Sequence, residues 1–135
     1  MMKYWLGLIA AVIVATQAQG QQGPAQNDPY SAAVFYPSCL AAADIVAGKR
    51  PAADSEDAAK QLRQAAICFG ALAAIMNVET FFRPEAAACP PPDKTALAQR
   101  VSVIAAYMKN HREALGDNFH RLAVTAYAAA WPCPK

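Results

Sequence analysis

The chain has 135 residues, enough for a single small domain. Its formal net charge is only +2, from 12 basic and 10 acidic residues, and its Lys and Arg residues form no block, which excludes an electrostatic nucleic-acid footprint. It also lacks serine-hydrolase, zinc-protease and phosphate-loop motifs, so we expect no nucleic-acid partner and no enzymatic activity.

The N-terminus is typical of a secretory signal peptide over residues 1–20. Lys3 precedes an apolar run, residues 4–15, and the run is too short for a stable membrane anchor. Small residues then offer two alternative cleavage sites, Thr16-Gln17-Ala18 and Ala18-Gln19-Gly20. We therefore expect export to the periplasm, with no membrane association after the signal peptide is removed.

The mature chain is predicted to consist of a disordered leader over residues 21–30 and one folded domain over residues 31–135. The leader is rich in Gln, Gly and Pro and has no apolar periodicity. An even number of cysteines in a small exported domain predicts a disulfide framework. A metal site is not indicated, because no two of the cysteines form a C-x-x-C pair. Three connectivities are possible for the cysteines, which are Cys39, Cys68, Cys89 and Cys133.

The first predicted helix covers residues 37–48. Pro37 suits the first helical turn, and Gly48 suits the position just past the helix end. In an alternative interpretation, residues 31–36 form an extra turn before this helix.

The second predicted helix begins at a cap provided by Asp54 or Ser55. Its second half is apolar nearly all round, which predicts the central, most buried helix of the domain. Gly70 lies inside it, and we expect a neighbouring helix to approach closely there. The predicted core face comprises Leu62, Ala65, Ala66, Phe69, Leu72, Ala73 and Met76.

The second half of the sequence predicts two more amphipathic helices. They follow a long ordered loop, because the three consecutive prolines after Cys89 cannot continue a helix. The third helix is opened by Asp93 or Thr95, and the fourth covers residues 118–130 after a short connection. The fold class is therefore all-α, a small bundle of about four helices stapled by two disulfides. The predicted core faces are Leu97, Val101, Ile104, Ala105 and Met108 in the third helix and Phe119, Leu122, Ala123, Ala126 and Tyr127 in the fourth.

This helix layout favours one of the three disulfide connectivities. Cys39 and Cys68 lie on helices that a short turn joins, so they are natural partners. Cys133 lies between two prolines at the end of the last helix, where a bridge to Cys89 would prevent fraying. We therefore predict the pairs Cys39–Cys68 and Cys89–Cys133, with Trp131 packed against the second bridge.

The loop between the second and third helices contains two adjacent aromatic residues, Phe81 and Phe82. Neighbouring aromatics in a loop do not easily face the same core, so one is predicted to be buried and the other to be an interface anchor. In the alternative arrangement, both pack beneath the loop.

The positions of the cysteines follow a recognisable order. One lies in the first helix, the next stands in "CFG", the third precedes prolines in "CPPP", and the last ends the aromatic sequence "WPC". An amphipathic helix containing "YMKNH" lies between the last two. Over residues 31–133 this pattern resembles the Tai family (Rap/Tai-like) of immunity proteins, which protect bacteria against cell-wall amidase effectors of the type VI secretion system.

The resemblance implies a periplasmic all-α protein, often a homodimer, that binds over the active-site cleft of a peptidoglycan amidase effector. It implies no reaction, cofactor or metal. Such interfaces use a protruding element, so the loop over residues 79–85 and the connection over residues 111–117 are candidates. The alternatives are a small helical holdase or an inhibitor of another secreted hydrolase. The candidate partner-binding residues are Phe81, Phe82, Arg83, Glu85, His111, Arg112 and Glu113.

Overall fold

The computed structural model describes residues 28–79, 88–91 and 96–134. The predicted signal peptide and most of the leader lie outside these ranges, while residues 28–30 of the leader form a turn. The described residues form four α-helices and one 3₁₀ turn and contain no strand, which confirms the all-α class. The helices are α1 (Ala32–Val46), α2 (Glu56–Glu79), α3 (Leu97–Asn110) and α4 (Phe119–Ala130), and the 3₁₀ turn (Arg112–Gly116) precedes α4.

Helix α1 begins at Ala32, so the extra turn before Pro37 is formed and Pro37 lies inside the helix rather than in its first turn. A proline within a helix removes one backbone hydrogen bond, which normally disfavours continuation. Here the start of the helix is fixed by distant parts of the chain. The amide of Ala32 donates to the carbonyl of Asp117 at 2.8 Å, and the amide of Phe119 donates to the carbonyl of Tyr30 at 2.8 Å. These tertiary bonds extend the helix on the N-terminal side of the proline.

The end of α1 confirms the prediction for Gly48, which has a φ of +76°. A left-handed residue past the helix end lets the following amides bond back to the last turn. The amide of Gly48 donates to the carbonyl of Ile45 at 3.0 Å, and that of Lys49 donates to the carbonyl of Asp44 at 2.8 Å. A glycine at this position therefore stops the helix and turns the chain toward α2.

Helix α2 is capped by Ser55, one of the two predicted caps, whose Oγ accepts from the amide of Ala58 at 3.1 Å. The prediction that α2 is the central, most buried helix is wrong, because α1 packs against all the other helices described. Leu62 and Ile67 of α2 are 59% and 54% exposed. An all-round apolar helix carries no polar stripe to mark its outer face, and the face that packs is Ala58, Ala65, Cys68, Leu72 and Ile75.

Gly70 of α2 does not mark a close helix contact, as the sequence had suggested. It is exposed, and a Cβ built on it would meet nothing within 4 Å. Among the described residues, the segment Glu56–Val78 is the one helix long and apolar enough to cross a membrane, with a mean hydropathy of 1.2. Core helices meet the same criterion, and this one contributes Cys68 and Leu72 to the core.

Helices α3 and α4 confirm the predicted core faces. Helix α3 begins at Leu97 with Ala96 as its N-cap; the predicted caps Asp93 and Thr95 lie outside the described residues. Helix α4 is capped by Asn118, whose side-chain oxygen accepts from the amide of His120 at 3.0 Å. The buried side chains of the two helices include Val101, Ile104, Ala105, Met108, Phe119, Leu122, Ala123, Ala126 and Tyr127.

Both predicted disulfides are present. Cys39–Cys68 joins α1 to α2 with 5.0 Å between the Cα atoms, and both residues are fully buried. Cys89–Cys133 joins the segment before α3 to the C-terminus with 4.8 Å between the Cα atoms, and both residues are exposed. Next to this second bridge, the amide of Cys89 donates to the carbonyl of Trp131 at 2.9 Å. The first disulfide therefore ties α2 to the central helix α1, and the second ties the C-terminus to the segment before α3.

Candidate functional site

The predicted partner-binding residues divide into two groups. Three of them stand together at the beginning of the 3₁₀ turn, where His111 is half-buried and Arg112 and Glu113 are exposed. The others belong to the connection after α2 and lie outside the described residues: Phe81, Phe82, Arg83 and Glu85. The site that the structure defines is thus the connection between α3 and α4.

Successive backbone hydrogen bonds run through this connection. The amide of His111 donates to the carbonyl of Tyr107 at 2.8 Å, which closes α3. The amide of Ala114 then donates to the carbonyl of His111, and that of Asp117 to the carbonyl of Ala114, both at 3.0 Å. Leu115 packs against the core from the inner side of the turn. The turn therefore has an apolar inner side and presents its charged side chains to solvent.

The far end of the turn is clamped to the start of α1. Asp117 accepts the amide of Ala32 at 2.8 Å, and Ser31 and Asn118 form an isolated antiparallel bridge. Beneath this clamp the ring of Phe35 stacks on that of Phe119, with centroids 4.3 Å apart and planes 15° from parallel. The C-terminal end of the turn is thus attached to the start of α1 by backbone hydrogen bonds and by this stacked pair.

Arg112 is held by Tyr36, which is not among the predicted partner-binding residues. Its guanidinium carbon lies 4.7 Å from the ring centroid of Tyr36, and its Nη1 donates a 2.7 Å hydrogen bond to the Tyr36 hydroxyl. Tyr36 belongs to α1, 76 residues earlier in the chain. No local spacing pattern connects positions so far apart, so only the fold brings these two side chains together.

His111 and Glu113 form the second contact of the site. The His111 ring stacks on Tyr107 with centroids 4.2 Å apart, and its Nδ1 lies 3.2 Å from Oε1 of Glu113. A backbone hydrogen bond to the Glu113 carboxylate, followed by the hydrogen bond with His111, lowers the pKa of Glu113 below its ordinary value. Glu113 is therefore ionised at neutral pH and gives the turn a negative group beside the positive Arg112.

These groups are suited to binding by charge and hydrogen bonding. All four cysteines are in disulfides, so the chain offers no thiol nucleophile. Within the ranges that the structure describes, no group of three or more His, Cys, Asp or Glu side chains could hold a metal ion. The site can present a guanidinium, a carboxylate and an imidazole to a partner in a fixed arrangement.

Fold and site together define a small all-α protein, crosslinked by two disulfides, that displays a clamped polar turn. A family model of Rap1a immunity proteins matches residues 31–133, and the chain belongs to this family. Comparisons with curated proteins and with solved structures gave no match. Family membership indicates an immunity protein directed against a secreted effector, and the two disulfides are consistent with an exported protein.

Proposed function

We propose that this protein is a periplasmic immunity protein that binds a peptidoglycan amidase effector of type VI secretion and blocks its active-site cleft. It catalyses no reaction. The role of an immunity protein directed against a secreted effector follows from the family match over residues 31–133. The amidase as target comes from the resemblance of the "CFG", "CPPP" and "WPC" pattern to the Tai family. The observation that carries the proposal is the clamped 3₁₀ turn.

A clamped turn suits an inhibitor because it loses little conformational entropy when it enters a cleft. Arginine and aromatic residues supply much of the binding energy in protein interfaces. Arg112 is already oriented by its contacts with Tyr36, so it meets a partner without paying to order its long side chain. We assign Arg112 as the principal contact, with His111 and Glu113 beside it. The residues of the other connection, Phe81, Phe82, Arg83 and Glu85, are proposed as a second contact.

Export is supported by two independent features of the chain. The first is the basic start and apolar run within residues 1–20, which is the pattern of a signal peptide. The second is the pairing of every cysteine, since disulfides persist in oxidising compartments such as the periplasm. An immunity protein in the periplasm meets an amidase where its peptidoglycan substrate lies.

A competition assay between sibling cells tests the proposal. A strain lacking this gene is mixed on a solid surface with its parent, and survivors are counted with a working and with a disabled type VI apparatus in the parent. We expect selective loss of the mutant that disappears when the apparatus is disabled. Equal survival in both mixtures would contradict immunity. Dye binding to the protein at low pH would then favour the holdase alternative.

Complementation of the deleted strain tests the assignment of the turn. Wild-type protein should restore survival, whereas Arg112→Glu should not, because the charge at the centre of the contact is reversed. Arg50→Glu makes the same charge change at an exposed position between α1 and α2 and should restore survival. Immunoblots of the periplasmic fraction must show equal amounts of the three proteins. Full protection by Arg112→Glu would remove the turn from the interface.

The resemblance also implies a homodimer, and we propose the exposed face of α2 as its contact. Ile67 and Val78 lie on one stripe of this helix, about three turns apart, and are 54% and 41% exposed. Sedimentation equilibrium should give twice the mass of one chain for the mature protein and one chain for Ile67→Glu. Ala128→Glu, at an exposed position of α4, is the control. A monomeric wild type would contradict this contact.

A further inference from the structure

A groove of about 460 Å³ runs between α1 and α3, on the described surface next to the 3₁₀ turn. On α1 it extends from Tyr36 to Ala47, a length of roughly 16 Å at the rise of an α-helix. It therefore has room for about three turns of a helix or for a short extended segment.

Small side chains create the groove. Ala43 and Ala47 line it on α1, and Ala105 and Ala106 line it on α3, so the two helices do not fill the space between them. Leu40 contributes a larger, half-buried apolar side chain to the floor. The result is an apolar floor that is open along its length, as in grooves that receive amphipathic segments.

The rim of the groove is mainly positive. Lys109 of α3 lies on one side, and Lys49 lies near the end of α1. Arg112 stands over Tyr36, which lines the opposite end, and adds a third cation there. The single acidic residue lining the groove is Asp44, and its carboxylate lies 3.8 Å from Nζ of Lys49, which offsets that charge. At the end nearer the turn, Glu113 stands next to Arg112 and contacts His111, so Lys109 is the rim cation that most favours an acidic partner.

We infer that this groove receives an acidic amphipathic segment of the effector while the 3₁₀ turn contacts the cleft. Apolar side chains of that segment would cover Leu40 and the alanines of the floor, and its carboxylates would meet Lys109 and Arg112. Tyr36 connects the two contacts, because it lines the groove and also orients Arg112. The inference rests on the proposed function and extends the interface from the turn along α1 and α3.

Two substitutions test the groove in the complementation assay described above. Ala106→Trp fills the floor with a bulky side chain at an exposed position, so the helix itself can fold around it. Lys109→Glu reverses the rim charge without filling the space. The matched controls are Ala128→Trp on α4 and Arg50→Glu between α1 and α2, both at exposed positions outside the groove lining. Circular dichroism melting and periplasmic immunoblots confirm that all four variants are folded and exported.

We expect Ala106→Trp to lower survival to that of the deleted strain and Lys109→Glu to lower it partly, while both controls protect fully. Full protection by both groove variants overturns the inference and leaves the proposed function intact. Failure of the wild-type protein itself to protect overturns both together. If Ala106→Trp converts a dimer to a monomer in sedimentation, the groove belongs to a second copy of this chain, and the effector is excluded as its occupant.

Discussion

The guanidinium of Arg112 lies over the ring of Tyr36, 4.7 Å from its centroid, and donates a 2.7 Å hydrogen bond to its hydroxyl. One side chain thus makes two different contacts with the other. Tyr36→Phe removes the hydrogen bond and keeps the ring, whereas Arg112→Ala removes both contacts. At exposed sites a cation–π contact contributes about 0.5–1 kcal/mol and a hydrogen bond about 1 kcal/mol.

We therefore expect Arg112→Ala to destabilise the protein by about 1 kcal/mol and Tyr36→Phe by less. The two side chains should couple by about 0.5 kcal/mol or more in a double-mutant cycle with Tyr36→Ala, measured by urea unfolding. Additive effects of the two alanine substitutions would show that the contact contributes nothing in solution.

Gly48 and Gly70 should respond to substitution by alanine with opposite signs. Gly48 has a φ of +76°, a conformation that costs an L-residue about 1 kcal/mol, so Gly48→Ala should lower stability by about that amount. Gly70 lies in the exposed interior of α2 with open space around it, so Gly70→Ala should raise stability by about 0.5–1 kcal/mol. Thermal melting of the two variants measures both changes, and a destabilising Gly70→Ala would indicate a contact at that face.

Two leucines of α2 provide a direct test of which face is buried. Leu72 is fully buried in the core, and truncating it leaves a cavity, so Leu72→Ala should cost about 2–5 kcal/mol. Leu62 is 59% exposed, so Leu62→Ala should change stability by no more than about 0.5 kcal/mol in the monomer. Urea unfolding at low protein concentration measures both. A large loss for Leu62→Ala would restore the central position that the sequence predicted for this helix.

The two disulfides should be reduced in a fixed order. Cys39 and Cys68 are fully buried, whereas Cys89 and Cys133 are exposed. Exchange requires a thiolate to reach a sulfur atom, so a mild reductant should open the exposed bridge first. Brief treatment with dithiothreitol, alkylation and peptide mapping should label Cys89 and Cys133 while the buried pair stays unlabelled. Simultaneous labelling of all four would show that the fold opens as a unit before reduction.

The lowered pKa of Glu113 predicts that its carboxylate contributes to stability near neutral pH and that this contribution is lost at acid pH. Because its pKa in the folded protein lies below the ordinary value of 4.5, this contribution is present above that value and is lost as the pH falls through the lowered folded pKa. Carbon-detected NMR titration should place the midpoint below 4.5. His111→Ala should raise the midpoint only in part, since the backbone hydrogen bond is the larger cause. A midpoint at the ordinary value in the wild type would contradict both contacts.

The local sequence pattern is sufficient to predict helices α3 and α4 and their buried faces. Helices α3 and α4 have one apolar face and one polar face, so the period of the sequence identified their buried residues, and Asn118 has the residue type of a helix cap. The disulfide pairing also followed, because short connections restrict which cysteines can meet.

Long-range contacts account for the errors in the first half. The start of α1 depends on bonds to Asp117 and Phe119, which no pattern near Pro37 reveals. The apolar surface of α2 has no polar side that indicates which face is buried. For this reason the sequence wrongly predicts a core position for Leu62 and a close helix contact at Gly70. In the candidate site the sequence indicated His111, Arg112 and Glu113 as partner-binding residues, but the support of Arg112 by Tyr36 arises only in the folded chain.

The bridges Cys39–Cys68 and Cys89–Cys133 close two covalent rings that follow one another along the chain without overlapping. After cleavage of the backbone inside either ring, a disulfide still links the two fragments covalently. After a single cut within residues 69–88, no covalent bond would link them. One would hold α1 with part of α2, and the other α3 with α4. They would be held together by the packing of α1 and of the attached part of α2, and by bonds such as that from Ala32 to Asp117. The nicked protein would become a heterodimer whose stability depends on dilution, with the groove between α1 and α3 along its subunit boundary.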